Sequence, residues 1–262
     1  MKLTSSNYHS IEAEREYLSR SQYQGFLQCE AKQIALLAGD WTEAPSEALL
    51  VGQYVHAWSE GTAEAFKDQH PEMFTKAGKL RASFRQAETM IETLKGDPLC
   101  LYMLEGQKEV PLVAEFAGAM WRIKMDVYNH DRGRIVDLKT TRSIWDTFWS
   151  EKHGGRVSFI EQYDYLLQAA LYCEIERQAS GRREGDWLDY YIVAVSKDTV
   201  PDKAVIDLRD PERYRQELDQ VRVNLPRILQ LKAGEEEPIR CERCDYCRST
   251  KVLTGAVHWT VI

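Results

Sequence analysis

Residues 107–141 constrain the fold most strongly, because apolar and polar side chains alternate there in three short runs. The runs are separated at 116–118 and at 129–133, two breaks that contain Gly118 and Gly133. A period of two is typical of strands that bury one face, and short breaks between such strands favour antiparallel hairpins. The stretch therefore predicts a three-stranded antiparallel meander.

Helical spacing of apolar residues dominates the part of the chain before this meander. Ser19 and Ser46 mark helix starts as capping residues, and Gly39 and Gly96 mark helix ends. We expect Cys29 to lie inside the first helix and His56 inside the second. The predicted helices cover 19–39, 46–66 and 78–95.

Beyond the meander, an aromatic loop around Trp145, Phe148 and Trp149 precedes a return to helical spacing. Residues 188–196 form a nearly continuous apolar run, which is typical of a buried strand. The predicted elements of this half are a helix over 159–178, strands over 188–196 and 203–208, and a helix over 211–231 that Pro226 could bend.

This order of elements predicts a mixed α/β domain, in which helices flank one central sheet that contains the meander. We find no convincing domain boundary, so one domain over residues 1–262 is expected. Its first hundred residues or so form a helical segment, and residues from about 238 to 262 form a cysteine-rich tail.

The composition is that of an ordinary soluble globular protein, with 44% hydrophobic and 29% charged residues. The amino terminus has no apolar run after Lys2, so we expect neither a signal peptide nor a membrane helix, and we expect a cytoplasmic protein. In that reducing compartment the six cysteines are not expected to form disulfides.

The net charge of −7 argues against a protein that coats nucleic acid nonspecifically, because such binding draws on clustered lysine and arginine. The local distribution of charge still allows a basic cleft. Basic residues concentrate in one short stretch, at Arg132, Arg134, Lys139, Arg142, Lys152 and Arg156.

Two aspartates stand at matching positions of the second and third runs. Asp126 shares a strand face with Lys124, and Asp137 shares one with Lys139. If an even-numbered loop centred on 131–132 closes this hairpin, Asp126 pairs directly with Asp137. The sequence therefore predicts neighbouring carboxylates with a lysine beside them.

Cross-strand neighbours have Cβ atoms only ~4.5–5.5 Å apart, so two carboxylates there repel unless a cation lies between them. Carboxylate oxygens suit Mg²⁺ or Mn²⁺, which can activate water and stabilise charge on a phosphoryl oxygen. Lys139 could orient that water or neutralise the transition state. The alternative is a set of solvated ion pairs on an exposed sheet face.

The ordered motifs GQYVH ending at His56, KMD ending at Asp126, VDLK over 136–139 and QAALY over 168–172 decide between these interpretations. With them, the chain from residue 19 to about 250 resembles the PD-(D/E)XK nuclease superfamily, in particular its RecB-like branch and the phage exonucleases similar to RecE (the exodeoxyribonuclease VIII type). The resemblance implies a restriction-endonuclease-like core.

The resemblance also implies roles for individual residues. Metal ligands would be His56, Asp126, Asp137 and the backbone carbonyl of Leu138, with Mg²⁺ or Mn²⁺ as the ion. Lys139 would be the catalytic lysine. Gln168 and Tyr172, four residues apart on one helix face, would contact DNA or support the site. Glu115 is a weaker acidic candidate outside this set.

Cys241, Cys244 and Cys247 have C-x2-C-x2-C spacing, which puts three thiolates in one loop. Soft sulfur sites select zinc or an iron–sulfur cluster, and Cys29 is the candidate fourth ligand. Some RecB-like nucleases resemble this plan and hold a 4Fe–4S cluster, although their last gap is usually longer. A 4Fe–4S cluster, Zn²⁺ and free cysteines remain open. Cys100 is expected in the core, as is Cys173.

Three functions follow from these observations. The leading one is a DNA exonuclease that digests double-stranded ends for phage-type recombination; the resemblance adds a single-strand annealing protein as partner and a ring-like homo-oligomer. The second is an iron–sulfur nuclease of the CRISPR or helicase-associated kind that acts on single-stranded ends. The third is a zinc-bound nucleic-acid-binding module that does not cut.

Overall fold

A five-stranded mixed sheet forms the centre of the protein in the computed structural model. The structure describes residues 3–4, 7–253, 255–256 and 258–261. Two further short strands, β4 and β5, form a separate hairpin. The strands are β1 (Gln107–Phe116), β2 (Ala119–Asn129), β3 (Arg134–Thr141), β4 (Phe148–Ser150), β5 (Gly155–Val157), β6 (Asp189–Ser196) and β7 (Lys203–Asp207).

The strand order in the sheet is β1-β2-β3-β6-β7. The first three strands form the predicted antiparallel meander. β3 then pairs in parallel with β6, because a helical connection carries the chain over one face of the sheet before β6 begins. β7 returns antiparallel to β6. The predicted fold class, a central mixed sheet with an antiparallel meander and flanking helices, is confirmed.

Helices cover both faces of this sheet. Most begin at a residue whose side chain accepts a hydrogen bond from the first turn, as Ser19, Ser46 and Asp210 do. The helices are α1 (Ile11–Glu16), α2 (Arg20–Gln28), α3 (Glu30–Ala38), α4 (Glu47–Glu60), α5 (Ala63–Gln69), α6 (Ala82–Lys95), α7 (Pro98–Met103), α8 (Phe159–Gln162), α9 (Tyr165–Ala179), α10 (Pro211–Ala233) and α11 (Asp245–Ser249), with 3₁₀ turns at Pro71–Met73 and Trp259–Val261.

Three helices that the sequence predicted as continuous are broken in the structure. The helix expected over 19–39 is broken at Cys29, whose extended backbone ends α2 and whose sulfur caps α3. The helix expected over 46–66 ends at Gly61, where the backbone is left-handed. The helix expected over 159–178 is interrupted at Asp164, another left-handed residue. Cys29 therefore lies between helices rather than inside one.

Other boundaries shift by a few residues. The third predicted helix begins at Ala82 instead of residue 78, and α7 follows it where the sequence suggested only a stop. Pro226 lies inside α10, which continues through it to Ala233. The aromatic loop contains the β4–β5 hairpin, which periodicity alone did not predict.

The core has two parts, one on each side of the sheet. One part packs α9 and α10 together with Trp121, Ile135 and Ile192. The other packs α4 and α6 against Val136 and Leu138. Consecutive residues of β3 thus alternate between the two sides of the sheet. This alternation points Asp137 and Lys139 toward the side on which Ile135 lies. Among the described residues, no helix combines the length and apolar character needed to cross a lipid bilayer.

Candidate active site

The β2–β3 hairpin has the register that the sequence predicted. Its ladder pairs Val127 with Val136 and Asn129 with Arg134. The next position in this register places Asp126 opposite Asp137. A four-residue turn over 130–133 closes the hairpin, so the expectation of an even-numbered loop is confirmed.

Hydrogen bonds hold each aspartate in place. The backbone N–H of Leu138 donates to Oδ2 of Asp126 at 2.9 Å. On Asp137, Oδ1 accepts from Nε2 of Gln168 at 2.8 Å, and the same nitrogen lies 3.0 Å from the Tyr190 hydroxyl. Gln168 is buried on α9, so the helix after the meander fixes the orientation of a carboxylate on β3.

Lys139 lies beside Asp137, with 2.7 Å between Nζ and Oδ2. Its ammonium group also lies 5.3 Å from the centre of the Tyr165 ring. Burial alone would lower the pKa of Lys139, but Asp137 and Asp126 outweigh it and raise this pKa above its usual value. Lys139 is therefore expected to carry a positive charge at neutral pH.

His56 approaches the aspartates from α4, and its Nδ1 lies 3.4 Å from Oδ2 of Asp126. Burial, together with the charge of Lys139, lowers the pKa of His56. The imidazole is then neutral near pH 7, with a lone pair available to a metal. The structure thus brings His56 and the hairpin together, as the sequence predicted.

The surroundings of Asp126 disfavour its ionised form. Burial raises its pKa well above the usual value, and repulsion from Asp137 raises it further. Among the described residues, Oδ2 of Asp137 is buried and accepts no hydrogen bond of normal geometry, although Lys139 is close. Two neighbouring buried carboxylates, of which one has only Lys139 as a close cation, fit a divalent cation.

Two further carboxylates lie at this site that the sequence analysis missed. Glu60 and Glu109 each have an oxygen within 4.8 Å of a His56 nitrogen. Glu60 is one helical turn after His56, a spacing that could have indicated it. Glu109 occupies the β1 position that faces Asp126, with a left-handed φ of 52°, and it forms an ion pair with Lys124.

These groups line one cleft of about 980 Å³ between the sheet and the helical segment. Tyr172 lines it too, and its ring packs edge-on against Tyr190 with 6.2 Å between centroids. Burial raises the pKa of Tyr172 well above its usual value, so its hydroxyl stays protonated. The positive charges that line the cleft are Arg20, Arg122, Lys124 and Lys139.

The basic stretch expected around residues 132–156 does not form the cleft. Of its six members, only Lys139 lines it. Arg132 and Arg134 lie at the opposite end of β3 and stack on Tyr102. The same strand carries basic residues at both ends, so closeness in sequence did not mean closeness in space.

Glu115 lies outside the cleft. It is exposed and accepts a hydrogen bond from the backbone N–H of Gly118 at 3.1 Å in the β1–β2 turn. This contact gives Glu115 a role in the turn, so it is no part of the candidate site.

The four predicted cysteines meet at one place, far apart in sequence but close in space. The Sγ atoms of Cys29, Cys241, Cys244 and Cys247 all lie within 4.8 Å of one another. Cys29 and Cys247 are buried, and their sulfurs are 3.5 Å apart, too far for a disulfide. Cys100 and Cys173 are buried in the two parts of the core, as expected.

Comparison with known proteins identifies the family of the chain. Residues 19–250 match the family model described as "PDDEXK-like domain of unknown function (DUF3799)". The crystal structure named "Putative exonuclease" from Eubacterium rectale is 40% identical to the chain, covers 98% of it and 97% of its own length, and has a TM-score of 0.92. A structure of the protein SSO0001 matches at 14% identity over 92% of this chain and 94% of that one, with a TM-score of 0.29, too low to support an argument. No curated protein matches the chain.

The fold and the acidic hairpin define a protein of the PD-(D/E)XK nuclease superfamily. Within it, the chain belongs to the PDDEXK-like family that its match over residues 19–250 identifies.

Proposed function

We propose that the protein is a divalent-metal-dependent DNA exonuclease that hydrolyses phosphodiester bonds at the ends of linear duplex DNA. The observation that carries the proposal is the convergence of Asp126, Asp137, Lys139 and His56 in one cleft. Two carboxylates and a histidine can hold a divalent ion, and a lysine can stabilise the charge that develops on the phosphate, so this set of groups can catalyse phosphodiester hydrolysis.

Each residue has a distinct part in this proposal. Asp126, Asp137 and the Leu138 carbonyl would hold Mg²⁺ or Mn²⁺, with neutral His56 completing the set. Such an ion supplies Lewis-acid chemistry to the phosphate and to the attacking water. Lys139, held protonated by the aspartates, stabilises the negative charge that develops on the phosphate. Gln168 keeps Asp137 in position through its 2.8 Å hydrogen bond.

The decisive experiment compares three end-labelled substrates in Mg²⁺ and in EDTA: linear duplex, the same sequence as a single strand, and a closed circle. We expect linear duplex to disappear in Mg²⁺ while the circle survives. A cut circle would indicate an endonuclease. An intact set of substrates would leave a binding module that does not cut.

One observation favours digestion of single-stranded ends as a second candidate. Trp149 is 66% exposed and faces Arg156 across the β4–β5 hairpin, and Tyr163 is 47% exposed. The Tyr163 ring lies 5.9 Å from that of Tyr165, which in turn lies beside Lys139. Exposed rings next to basic side chains are typical of surfaces that stack the bases of a single strand.

Binding without cutting tests this second candidate. In the absence of divalent metal, Trp149→Ala and Tyr163→Ala should each weaken binding of an oligo(dT) strand by about fivefold or more and leave an abasic strand of equal length unaffected. Trp149→Phe, which keeps a ring, serves as the control. Equal losses on both strands would show that the rings do not stack bases.

The resemblance to RecE-like exonucleases supports two partners for this protein. We propose a single-strand annealing protein and a ring-like homo-oligomer, as in exonucleases of the RecE kind. Measuring the mass of the protein in solution, alone and with DNA, tests the oligomer directly.

A further inference from the structure

The cysteine cluster lies outside the cleft and forms a small centre of its own. Its buried members are Cys29, Ala31 and Cys247, with Cys241, Cys244 and Tyr246 packed against them. So few apolar groups bury little surface, and burial alone would stabilise such a cluster only weakly. Something besides hydrophobic packing is expected to hold the carboxyl-terminal segment there.

The distances between the sulfurs indicate what that is. Cys29 and Cys247 are separated by 3.5 Å and Cys241 and Cys247 by 3.9 Å between Sγ atoms. Four thiolates at the ~2.3 Å bond length of zinc occupy the corners of a tetrahedron with edges of about 3.8 Å. The observed spacing therefore matches the ligand shell of a single tetrahedral ion.

The same spacing does not fit a 4Fe–4S cluster. In such a cluster each thiolate binds a different iron atom, so the four sulfurs surround the whole cluster and lie farther apart than around one ion. A sphere whose ligand atoms all lie within 4.8 Å of one another has no room for four irons and four sulfides. The cluster that the resemblance implied disagrees with this arrangement.

The backbone around the sulfurs is arranged for thiolates. The N–H of Lys32 donates to the Cys29 sulfur at 3.4 Å, that of Cys244 to Cys241 at 3.4 Å, and that of Cys247 to Cys244 at 3.5 Å. Hydrogen bonds of this kind orient sulfur ligands and offset their negative charge. Three of the four sulfurs thus already have donors that would support a metal.

Polar contacts independent of the sulfurs bring the two ends of the chain together. Glu30 forms paired hydrogen bonds of 2.8 Å with Arg227 of α10 and accepts from the backbone N–H of Ile239 at 2.7 Å. Ala31 in turn donates to the Ile239 carbonyl at 3.1 Å. The break between α2 and α3 is therefore positioned to receive the loop that carries the other three cysteines.

We propose that Cys29, Cys241, Cys244 and Cys247 bind one structural Zn²⁺ ion, which fastens the α2–α3 break to the carboxyl-terminal segment. Zinc has no redox chemistry and four protein ligands leave it no open position, so the site stabilises the fold and takes no part in hydrolysis. The proposal is independent of the nuclease activity.

Metal analysis of protein purified without air and without added metal tests the site. We expect about one zinc per chain, no iron, and no visible absorbance. Replacement by Co²⁺ should produce the visible bands of a tetrahedral thiolate site. Iron with sulfide in the parent protein would overturn the proposal, and so would an absence of any bound metal.

Variants assign the ligands without any assay of cutting. Cys29→Ser should lose the zinc and lower the thermal midpoint by at least about 5 °C. Cys244→Ser, on a partly exposed residue of the loop, should lose zinc as well and guards against a folding defect at Cys29. Cys100→Ala, a buried cysteine outside the cluster, should keep the full zinc content. Zinc retained in Cys29→Ser and Cys244→Ser would show that these cysteines are not ligands.

Discussion

At the scale of single residues, the candidate active site depends on two aspartates that would be unfavourable neighbours without a cation. Asp126 and Asp137 face each other in the hairpin register, and burial with mutual repulsion raises the pKa of Asp126. If the pair holds the proposed ion, function and stability oppose each other there, because the repulsion that disfavours the metal-free fold is what the ion relieves.

Asp126→Asn and Asp137→Asn should each lower Mg²⁺-dependent cutting by at least about 10³-fold while the protein stays folded. The carboxylates hold the ion, and removing one also relieves repulsion in the metal-free state, so stability should hold or rise. Cutting rates and thermal midpoints measure the two effects. Glu115→Gln, at an exposed carboxylate near the end of β1 and outside the cleft, is the control and should cut normally. Near-parent activity in either aspartate variant would place the active site elsewhere.

The pH dependence of stability gives a second readout for Asp126. Its pKa in the folded protein is raised. At pH values above the ordinary pKa of a carboxyl group, the folded protein therefore binds more protons than the unfolded chain. Stability of the metal-free protein should therefore fall as pH rises from about 4 toward the raised pKa. Asp126→Asn should remove this decline in urea unfolding experiments.

Lys139→Met should abolish cutting but leave Mg²⁺ affinity intact or increased, because the ammonium competes with the ion for Asp137 at 2.7 Å. Its proposed role is to stabilise negative charge that develops only in the transition state. Calorimetric titration with Mg²⁺ beside the cutting rate separates the two quantities. Weaker metal binding with unimpaired turnover at saturating Mg²⁺ would contradict the role given to Lys139.

At the scale of elements, the breaks in helices matter as much as the helices. The break at Cys29 turns a sulfur toward the carboxyl-terminal segment, and the break at Asp164 lets α9 begin where Gln168 reaches Asp137. Asp164 has a left-handed backbone and is held by Lys152 and Gln24. Contacts far along the chain thus set where these helices begin and end.

The end of α10 offers a prediction about element packing. Lys232 reaches the carbonyls of Glu14 and Tyr17 at 3.4 Å each, and burial lowers its pKa to about 8. Between about pH 8 and the ordinary value of 10.5 the folded protein then binds fewer protons than the unfolded chain. Stability contributed by this position should rise with pH across that window.

Lys232→Met should lack this rise, because methionine does not titrate. Urea unfolding of parent and variant at several pH values measures the difference between their free energies of unfolding. We expect the difference to shift in favour of the parent from about pH 8 to about 10.5. Parallel pH profiles would show that Lys232 keeps an ordinary pKa in the folded protein.

At the scale of the whole molecule, the two groups of proposed metal ligands lie in separate places, and we assign them different roles. The carboxylate site joins the meander to α4 across the cleft, and the cysteine site joins the start of α3 to the tail. An ion that binds only the folded protein stabilises it by mass action.

Saturating Mg²⁺ should therefore raise the thermal midpoint of the parent by about 5 °C through the carboxylate site. Asp137→Asn should show no such rise, whereas Cys100→Ala should respond like the parent. A rise of equal size in Asp137→Asn would mean that Mg²⁺ stabilises the protein at some other place.

The features that depend on local sequence pattern could be predicted before the fold was known. Period-two alternation predicted β1 to β3 and their turns, and the two-residue repeat of strands then placed Asp126 opposite Asp137 and Asp137 on the face of Lys139. Capping serines located the starts of α2 and α4. Such features follow from the geometry of a few neighbouring residues, so they can be inferred before the fold is known.

Tertiary structure alone decided what depends on residues distant in sequence. Glu60 and Glu109 lie near His56 because a helix packs on a particular strand. Arg134 lies outside the cleft because it begins β3, at the end of the strand away from Lys139. The helix break at Cys29 and the short distances among the four sulfurs depend on contacts with residues about two hundred positions away. No local pattern contains those contacts, because the free energy that fixes them comes from packing between elements rather than from propensity within them.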